Sequence, residues 1–489
     1  MTDKFLDKLI SSPPDHLKCK NVVVGSGPGG AITACLLAEA GEDVLMIEEG
    51  PFLAPGQCEP FSTDEMTLKY RNGGLTPALG KTKIAYVEGR CVGGGSEVNA
   101  ALYHRLPSEI TVQWQQEYEI EYFNENVLDS HYNACESDVS VSFMPGQFPA
   151  ASLKLKEGAD KLGWIAIEVP RCYRYLNSGV KGQPLGIRQS MMETYIPRAL
   201  NAGCQVMSDA RIHKIKREGS SWALGGCFNK SRKIEIRAEN LWLACGAIQT
   251  PALLLRSGIK QNIGNSLSLH PTIKVVAKFD TEINSKGMGI PVHQVKEFAP
   301  KYSFGCSISS PPYLAIIMND YPQHTADVVY EWKNMAVYYA MIAAEGCGNV
   351  RPLPWFNDPL VRYKLTLNDM KLLAEALKNL SLLLLSAGAL SIFPSVATMD
   401  KISNLEGIEK IPHRLPDALT NLMTIHLFSS CPMGENKTKC AADSFGRVHG
   451  LQNLFIADAS LLCTAPTVNP QGAIMAIVRR NIFKHLGKL

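Results

Sequence analysis

An α/β fold opened by a Rossmann-like strand–helix–strand unit is what this sequence predicts, on three observations. The run KNVVVGSGPGG passes from a short apolar strand into a glycine turn, with Gly25, Gly27 and Gly30 spaced as Gly-x-Gly-x-x-Gly. The following AITACLLAEAG is apolar at helical spacing and stops at Gly41. DVLMIEEG then reads as a second strand that ends at Glu48, 23 residues beyond Gly25.

Each glycine has its own physical task. Gly25 permits the tight turn, Gly27 lets backbone N–H groups approach a pyrophosphate, and Gly30 lets the helix pack closely on the strand. The helix N-terminus, with its free N–H groups and the positive end of its dipole, favours that anion. Glu48 stands where an acid grips a pair of ribose hydroxyls, and its neighbour Glu49 reads as a solvated residue. This element predicts a bound dinucleotide without choosing between FAD and NAD.

A chain of 489 residues is too long for one simple core, so two domains are expected. Apolar residues make up 46%, which excludes a disordered chain. The formal charge is only +3 and no long basic run occurs, which argues against a nucleic-acid partner. The short clusters Lys214–Arg217 and Arg479–Arg480 read as solvated surface. The opening MTDKFLDKLISSPPDHLK has no apolar signal core. The most apolar stretch, LLAEALKNLSLLLLSAGALSIFP from Leu372, is interrupted by Glu375, Lys378 and Asn379, so it reads as a buried helix and not a membrane span. The fourteen cysteines include no Cys-x-x-Cys, and the closest pair is Cys431 and Cys440. Reduced, buried thiols are expected, with no metal site, in a cytoplasmic protein.

A second glycine loop lies in YVEGRCVGGGSEVNAALYHRLP, which holds Gly93, Gly94, Gly95, Ser96 and Asn99. LWLACGAIQTPALLLRSGI runs from a strand through Gly246 into an apolar helix. VVAKFD and YLAIIMN read as strands. Near the carboxyl end, His426 sits in TIHLFSSCPMG, and Asp458 closes the strand-like GRVHGLQNLFIADAS. Asn469 and Pro470 open a helix in TVNPQGAIMAIVRRN, where Pro470 suits the first turn.

Together these segments resemble the glucose–methanol–choline (GMC) oxidoreductase family, flavoenzymes that oxidise alcohols. GRCVGGGSEVNAALY resembles the family's first signature and GAIQTPALLLRSGI its second. NIGNSLSLHP and the block holding His426, Asp458 and Asn469-Pro470 follow in the family's order. The GGGS form and SSCPMG are similar to the branch that holds long-chain alcohol oxidases, although that branch's cysteine cluster is mostly missing around Cys172.

The resemblance implies a discontinuous FAD-binding domain over residues 1–108, 195–275 and 415–489. It implies an inserted α+β substrate domain, built on a mostly antiparallel sheet, over residues 109–194 and 276–414. FAD would be held by Gly25, Gly27, Gly30, Glu48, Gly93, Gly94, Ser96, Asn99, Ile212, Asp458, Pro470 and Gln471. Val98 occupies the place where some members carry a flavin-linked histidine, so the FAD is expected to be non-covalent. His426 would take the hydroxyl proton of an alcohol, which a neutral imidazole can do with a gain of about 100- to 10,000-fold. Asn469 would hold the substrate oxygen, and the start of the last helix would face charge on reduced flavin. Oxygen or a quinone would accept the electrons. A non-redox lyase of the same fold, cleaving a cyanohydrin, is the alternative.

Overall fold

The computed structural model describes residues 8–54, 56–176, 185–286 and 288–489. Two sheets organise it. The first contains β1 (His16–Val24), β2 (Val44–Ile47), β3 (Gln205–Met207), β4 (Ala210–Glu218), β5 (Ser221–Phe228), β6 (Arg232–Leu243) and β7 (Leu454–Ile456). Its order is β4-β5-β6-β1-β2-β3, with β7 also on β6. The strands β3, β2, β1, β6 and β7 run parallel, whereas β4, β5 and β6 form an antiparallel meander. β6 serves both arrangements: its first half pairs with β5 and its last three residues with β7. Val44–Ile47 and Val22–Val24 are buried throughout, as expected of parallel strands covered on both faces.

Helix α1 (Pro28–Glu39) follows β1 and buries Ile32, Cys35 and Leu37 against the sheet; α2 (Gly246–Arg256) follows β6. Thus the carboxyl ends of β1, β6 and β7 converge on the N-terminus of α1. A crevice at the carboxyl ends of parallel strands is where such sheets bind ligands.

Among the described residues the second sheet has nine strands. Its order is Thr76–Ala78, Lys83–Tyr86, Asn421–Thr424, Thr272–Lys278, Met335–Ile342, Tyr302–Cys306, His293–Val295 and Ala166–Glu168, with Ser391–Pro394 also on Thr272–Lys278. Every pairing is antiparallel except that of Asn421–Thr424 with Lys83–Tyr86. Helix α3 (Leu367–Ser386) packs on it, opened by a capping box between Thr366 and Asp369 and burying Leu373, Leu377, Leu380 and Leu384. The apolar stretch expected to be a buried helix is this helix as far as Ser386, but its end, Ser391–Pro394, is a strand. Among the described residues no helix is long and apolar enough to cross a membrane.

Four further expectations need correction. Thr76–Ala78, Lys83–Tyr86 and Asn421–Thr424 lie in segments assigned to the dinucleotide domain but belong to the second sheet. The reason is packing: Ile84, Tyr86 and Leu422 share one apolar core with the leucines of α3. YLAIIMN is not a strand but most of the helix Pro311–Met318, started by Ser310 and two prolines, with Leu314, Ile317 and Met318 buried at helical spacing. Arg480 is not solvated but wholly buried. Its guanidinium donates to the carbonyls of Ser444 and Tyr122 and to Asn481, between the rings of Phe123 and Phe445. Glu49, the fourth, is not solvated but ion-paired with arginines. All fourteen cysteines are free, and most are buried.

Candidate active site

A long cavity runs from β4 to the start of the last helix, α4 (Gln471–His485), at the carboxyl ends of the first sheet. Its first half is a glycine cradle. Gly27 caps α1 with no side-chain partner, and a Cβ built there meets nothing within 4 Å. The same is true at Gly95 and Gly246, and all three line the cavity. Gly25 and Gly94 are tight instead. A Cβ on Gly25, whose φ is +106°, would stand 2.1 Å from the Ala244 carbonyl oxygen, and one on Gly94 would stand 2.7 Å from Gly27 Cα. The two glycine loops therefore touch, and bare backbone faces the cavity. A dinucleotide pyrophosphate fits this cradle: open backbone N–H groups and a helix N-terminus are what it needs.

Gly30 does not line the cavity. A Cβ there would meet the Gly25 carbonyl at 2.0 Å, so it serves the close packing of α1. Gly93 and Ser96 are also off the cavity. Gly93 N donates to Ser26 Oγ (3.0 Å), and Ser96 Oγ donates to the Gly93 carbonyl (2.8 Å) while accepting from Met191 N (3.0 Å), so both shape the loop from behind. Asn99 lines the cavity and donates through Nδ2 to Gln471 Oε1 at 2.5 Å, tying the second glycine loop to α4. Ile212 lines it where the register of β4 against β5 slips. Val98 and Pro470 line it too, although Pro470 caps α4 and Gln471 is its first residue.

Four acids meet this half; Glu88 is held by Arg71 (3.2 Å). Glu48 accepts from Ser26 N (3.1 Å), Ser26 Oγ (2.6 Å) and Gly50 N (2.9 Å), and burial raises its pKa. Asp458 has its carboxylate committed to protein. It accepts from Gly246 N (2.9 Å), Thr250 Oγ1 (2.5 Å), Ser460 N (2.8 Å) and Ser460 Oγ (2.6 Å), so it clamps α2 to the turn after β7. Glu49 is the correction. It is paired with Arg71 (2.9 Å), Arg211 (2.9 Å) and Arg90 (3.3 Å). Burial opposes its ionisation, yet the three guanidinium groups hold its carboxyl down at about 2. The arginines come from three distant segments, so no local pattern announces the cluster.

The far end of the cavity is different chemistry. Strand Asn421–Thr424 delivers His426, whose N–H donates to Thr424 Oγ1 (3.1 Å). Leu427–Phe428 then pairs with Ser268–Leu269, which brings His270 beside it. His426 Nδ1 lies 3.0 Å from His270 Nδ1, and Asn469 Nδ2 lies 3.3 Å from His426 Nε2. Gln294 Nε2 donates to both Asn469 Oδ1 (3.3 Å) and the Tyr339 hydroxyl (3.1 Å). The network assigns the protons. Asn469 donates to Nε2 of His426, so that nitrogen carries the lone pair, and Nδ1–H points at His270. Burial, with Lys296 adding its charge, pushes His426 down to about 4. Its ring is a neutral base whose Nε2 lone pair meets the amide of Asn469.

His426 and Asn469, predicted from sequence, are thus brought into contact. His270, Gln294 and Tyr339 were missed. His270 was visible in the His-Pro segment, but nothing along the chain linked Gln294 or Tyr339 to the site. His293, next to Gln294 on its strand, is paired with Ser152 instead (2.9 Å).

The chain matches the sequence profiles of the GMC oxidoreductase family over residues 66–272 and 356–477, and that of an NAD(P)-binding Rossmann-like domain over 23–78. It is 37% identical to an uncharacterized GMC-type oxidoreductase of Sinorhizobium fredii (strain NBRC 101917 / NGR234), over 95% of this chain and 94% of that one. It is 27% identical to a long-chain-alcohol oxidase of Arabidopsis thaliana, over 96% and 68%. The crystal structure of pyridoxine 4-oxidase from Mesorbium loti superposes with a TM-score of 0.72 at 17% identity, over 96% and 99%. Formate oxidase of Aspergillus oryzae RIB40 superposes at 0.73 with 13% identity, over 98% and 100%. The last two likenesses show a shared fold.

Proposed function

The chain belongs to the GMC oxidoreductase family, and from that premise we propose that it oxidises the CH–OH group of an alcohol to an aldehyde or ketone. It is an oxidoreductase that uses FAD, which supplies the acceptor for a hydride equivalent. One observation carries the reading: a neutral imidazole, an amide and a second amide–phenol pair converge at the end of the dinucleotide cavity. His426 Nε2 takes the hydroxyl proton. Asn469 Nδ2 donates to the substrate oxygen and turns its carbon toward the cavity. His270 fixes the ring of His426 by receiving the Nδ1 hydrogen, and Gln294 fixes Asn469. The N-terminus of α4 at the same end favours negative charge.

FAD is held without a covalent link, since Val98 offers no ligating atom; acid precipitation should release the flavin into the supernatant. The inserted segments 109–194 and 276–414 form the substrate side, with the strands at 76–78, 83–86 and 421–424 completing its sheet. Fourteen free thiols suit a reducing, cytoplasmic setting. Oxygen or a quinone reoxidises the enzyme. The test is anaerobic addition of a panel of alcohols to holoenzyme. Loss of the oxidised flavin band is the expected result. A band that no alcohol discharges would sink the proposal and leave the lyase reading standing.

A further inference from the structure

One face of the second sheet walls the region beside Asn469. Strand pairing sets Lys274, Tyr339, Gly305 and Gln294 in one row across four strands. Gly305 is small by necessity, because a Cβ there would meet the Tyr339 hydroxyl at 2.3 Å. The phenol lies over that glycine to reach Gln294. Side chains alternate along a strand, so Lys296 shares the face of Gln294, and the same register sets it opposite Ser303.

Neither lysine has a salt bridge or hydrogen bond from its ammonium among the described residues, and no carboxylate acts on either. Burial pushes both down to about 8. The charge of Lys296 lowers His426, His104 and His270 alike, so its ammonium lies within electrostatic reach of the proposed reaction centre. Around it, Ser303 Oγ is buried without a hydrogen-bond partner among the described residues, and buried His104 has only Gln294 to meet it. Buried polar groups are normally paired. An unpaired cation beside polar groups short of partners is the mirror image of an anion with further polar groups. A site made for a plain hydrocarbon chain has no use for any of them. The acids of the cavity, Glu48, Glu49, Glu88 and Asp458, stand in its other half and have their own partners.

We infer that the substrate alcohol carries an anionic group, a carboxylate or a phosphate, which Lys296 binds while the hydroxyl meets His426 and Asn469. This deepens the proposed function and rests on it for the identity of the reacting group.

Charge-matched pairs test it in anaerobic flavin reduction by holoenzyme: 4-(hydroxymethyl)benzoate against 4-methylbenzyl alcohol, and 6-hydroxyhexanoate and 6-hydroxyhexyl phosphate against 1-hexanol. An anionic member should exceed its neutral partner in kcat/KM by about 30-fold, the scale of one charge-assisted contact. The carboxylate and phosphate arms tell the two anions apart. Lys296→Gln should shrink that ratio by about 30-fold, and Lys296→Arg should keep most of it. Reduction by the neutral alcohols with no anionic preference, or a ratio that Lys296→Gln leaves unchanged, overturns the inference and leaves alcohol oxidation intact. If no alcohol reduces the flavin, titration of its oxidised absorption spectrum with benzoate decides. Saturable binding weakened about 30-fold by Lys296→Gln upholds the anion site while the alcohol reading falls, and its absence overturns both.

Discussion

The two halves of the cavity solve opposite problems. The dinucleotide half is charged and closed on itself: Glu49 answers three arginines, Arg71 also reaches Glu88 (3.2 Å) and Asp358 (3.1 Å), and Asp458 is bonded on both oxygens. The reacting half faces the unpaired Lys296 and is unfinished: His270 Nε2 and Ser303 Oγ are buried without partners among the described residues. Pairing charges builds a rigid cradle that stands ready before any ligand arrives. Leaving polar atoms unpaired costs stability, roughly 1–3 kcal/mol for each group, and that cost is recovered when a substrate completes them. The difference locates binding in one half and chemistry in the other.

The largest break of that contrast comes from His426→Ala. It removes the base while leaving the charged half untouched, so turnover should fall by about 1,000-fold, within the range for a positioned general base. Stopped-flow reduction with the best alcohol measures the loss, and the flavin-to-protein ratio should stay at the wild-type value. A variant that loses its flavin, or that reduces within a few-fold of the native rate, would show that the halves are not separable in this way.

Gly27→Ala attacks the cradle alone. The added methyl meets no protein atom within 4 Å, so folding should be spared. It fills space that the cofactor needs, and FAD affinity should drop by about 100-fold, equivalent to about 2.7 kcal/mol. Flavin fluorescence on dilution reads the affinity, and thermal melting of the apoprotein serves as control. An apoprotein melting well below native would mean that the turn itself, and not the cofactor's approach, demands glycine at this position.

Much of this contrast could be read along the chain, for a definite reason. Gly25, Gly27, Glu48, His426 and Asn469 lie in local patterns whose neighbours in sequence are also neighbours in space. Glu49 looked solvated because Arg71, Arg90 and Arg211 arrive from three other segments. Gln294 and Tyr339 gain their place from strand register, which single-strand patterns do not encode. The helix Pro311–Met318 misled because a short apolar run suits either element, and only its burial against Val276, Val337 and Phe393 decides the matter. Arg480 misled because charge alone suggests water, whereas two aromatic rings and three backbone or amide oxygens enclose it.

Glu49→Gln tests the paired half more gently. Neutralising the acid leaves Arg71, Arg90 and Arg211 with one fewer counter-charge, but Arg71 keeps Glu88 and Asp358. A destabilisation of about 2 kcal/mol is expected, below the usual cost of stripping a fully buried pair. Urea unfolding of the apoprotein at two salt concentrations checks it. The loss should lessen at high salt, where repulsion among the arginines is screened. A variant as stable as the native protein would mean that the cluster exists for the ligand and not for the fold.

The smallest effect concerns the proton itself. Oxidation needs His426 neutral, and its pKa in the folded protein is about 4, below the ordinary 6.5. Activity should therefore hold steady as pH falls from 7 to 5 and decline near 4, with the limb belonging to His426 and the histidines coupled to it. Burial is the larger cause of the depression and Lys296 the smaller. Lys296→Gln removes the smaller cause, so the acid limb should move to higher pH without reaching 6.5. The profile of kcat/KM for an uncharged alcohol shows the move free of any titration of substrate. A limb that stays in place, or moves to lower pH, would mean that the ammonium does not face the imidazole and that burial alone keeps His426 neutral.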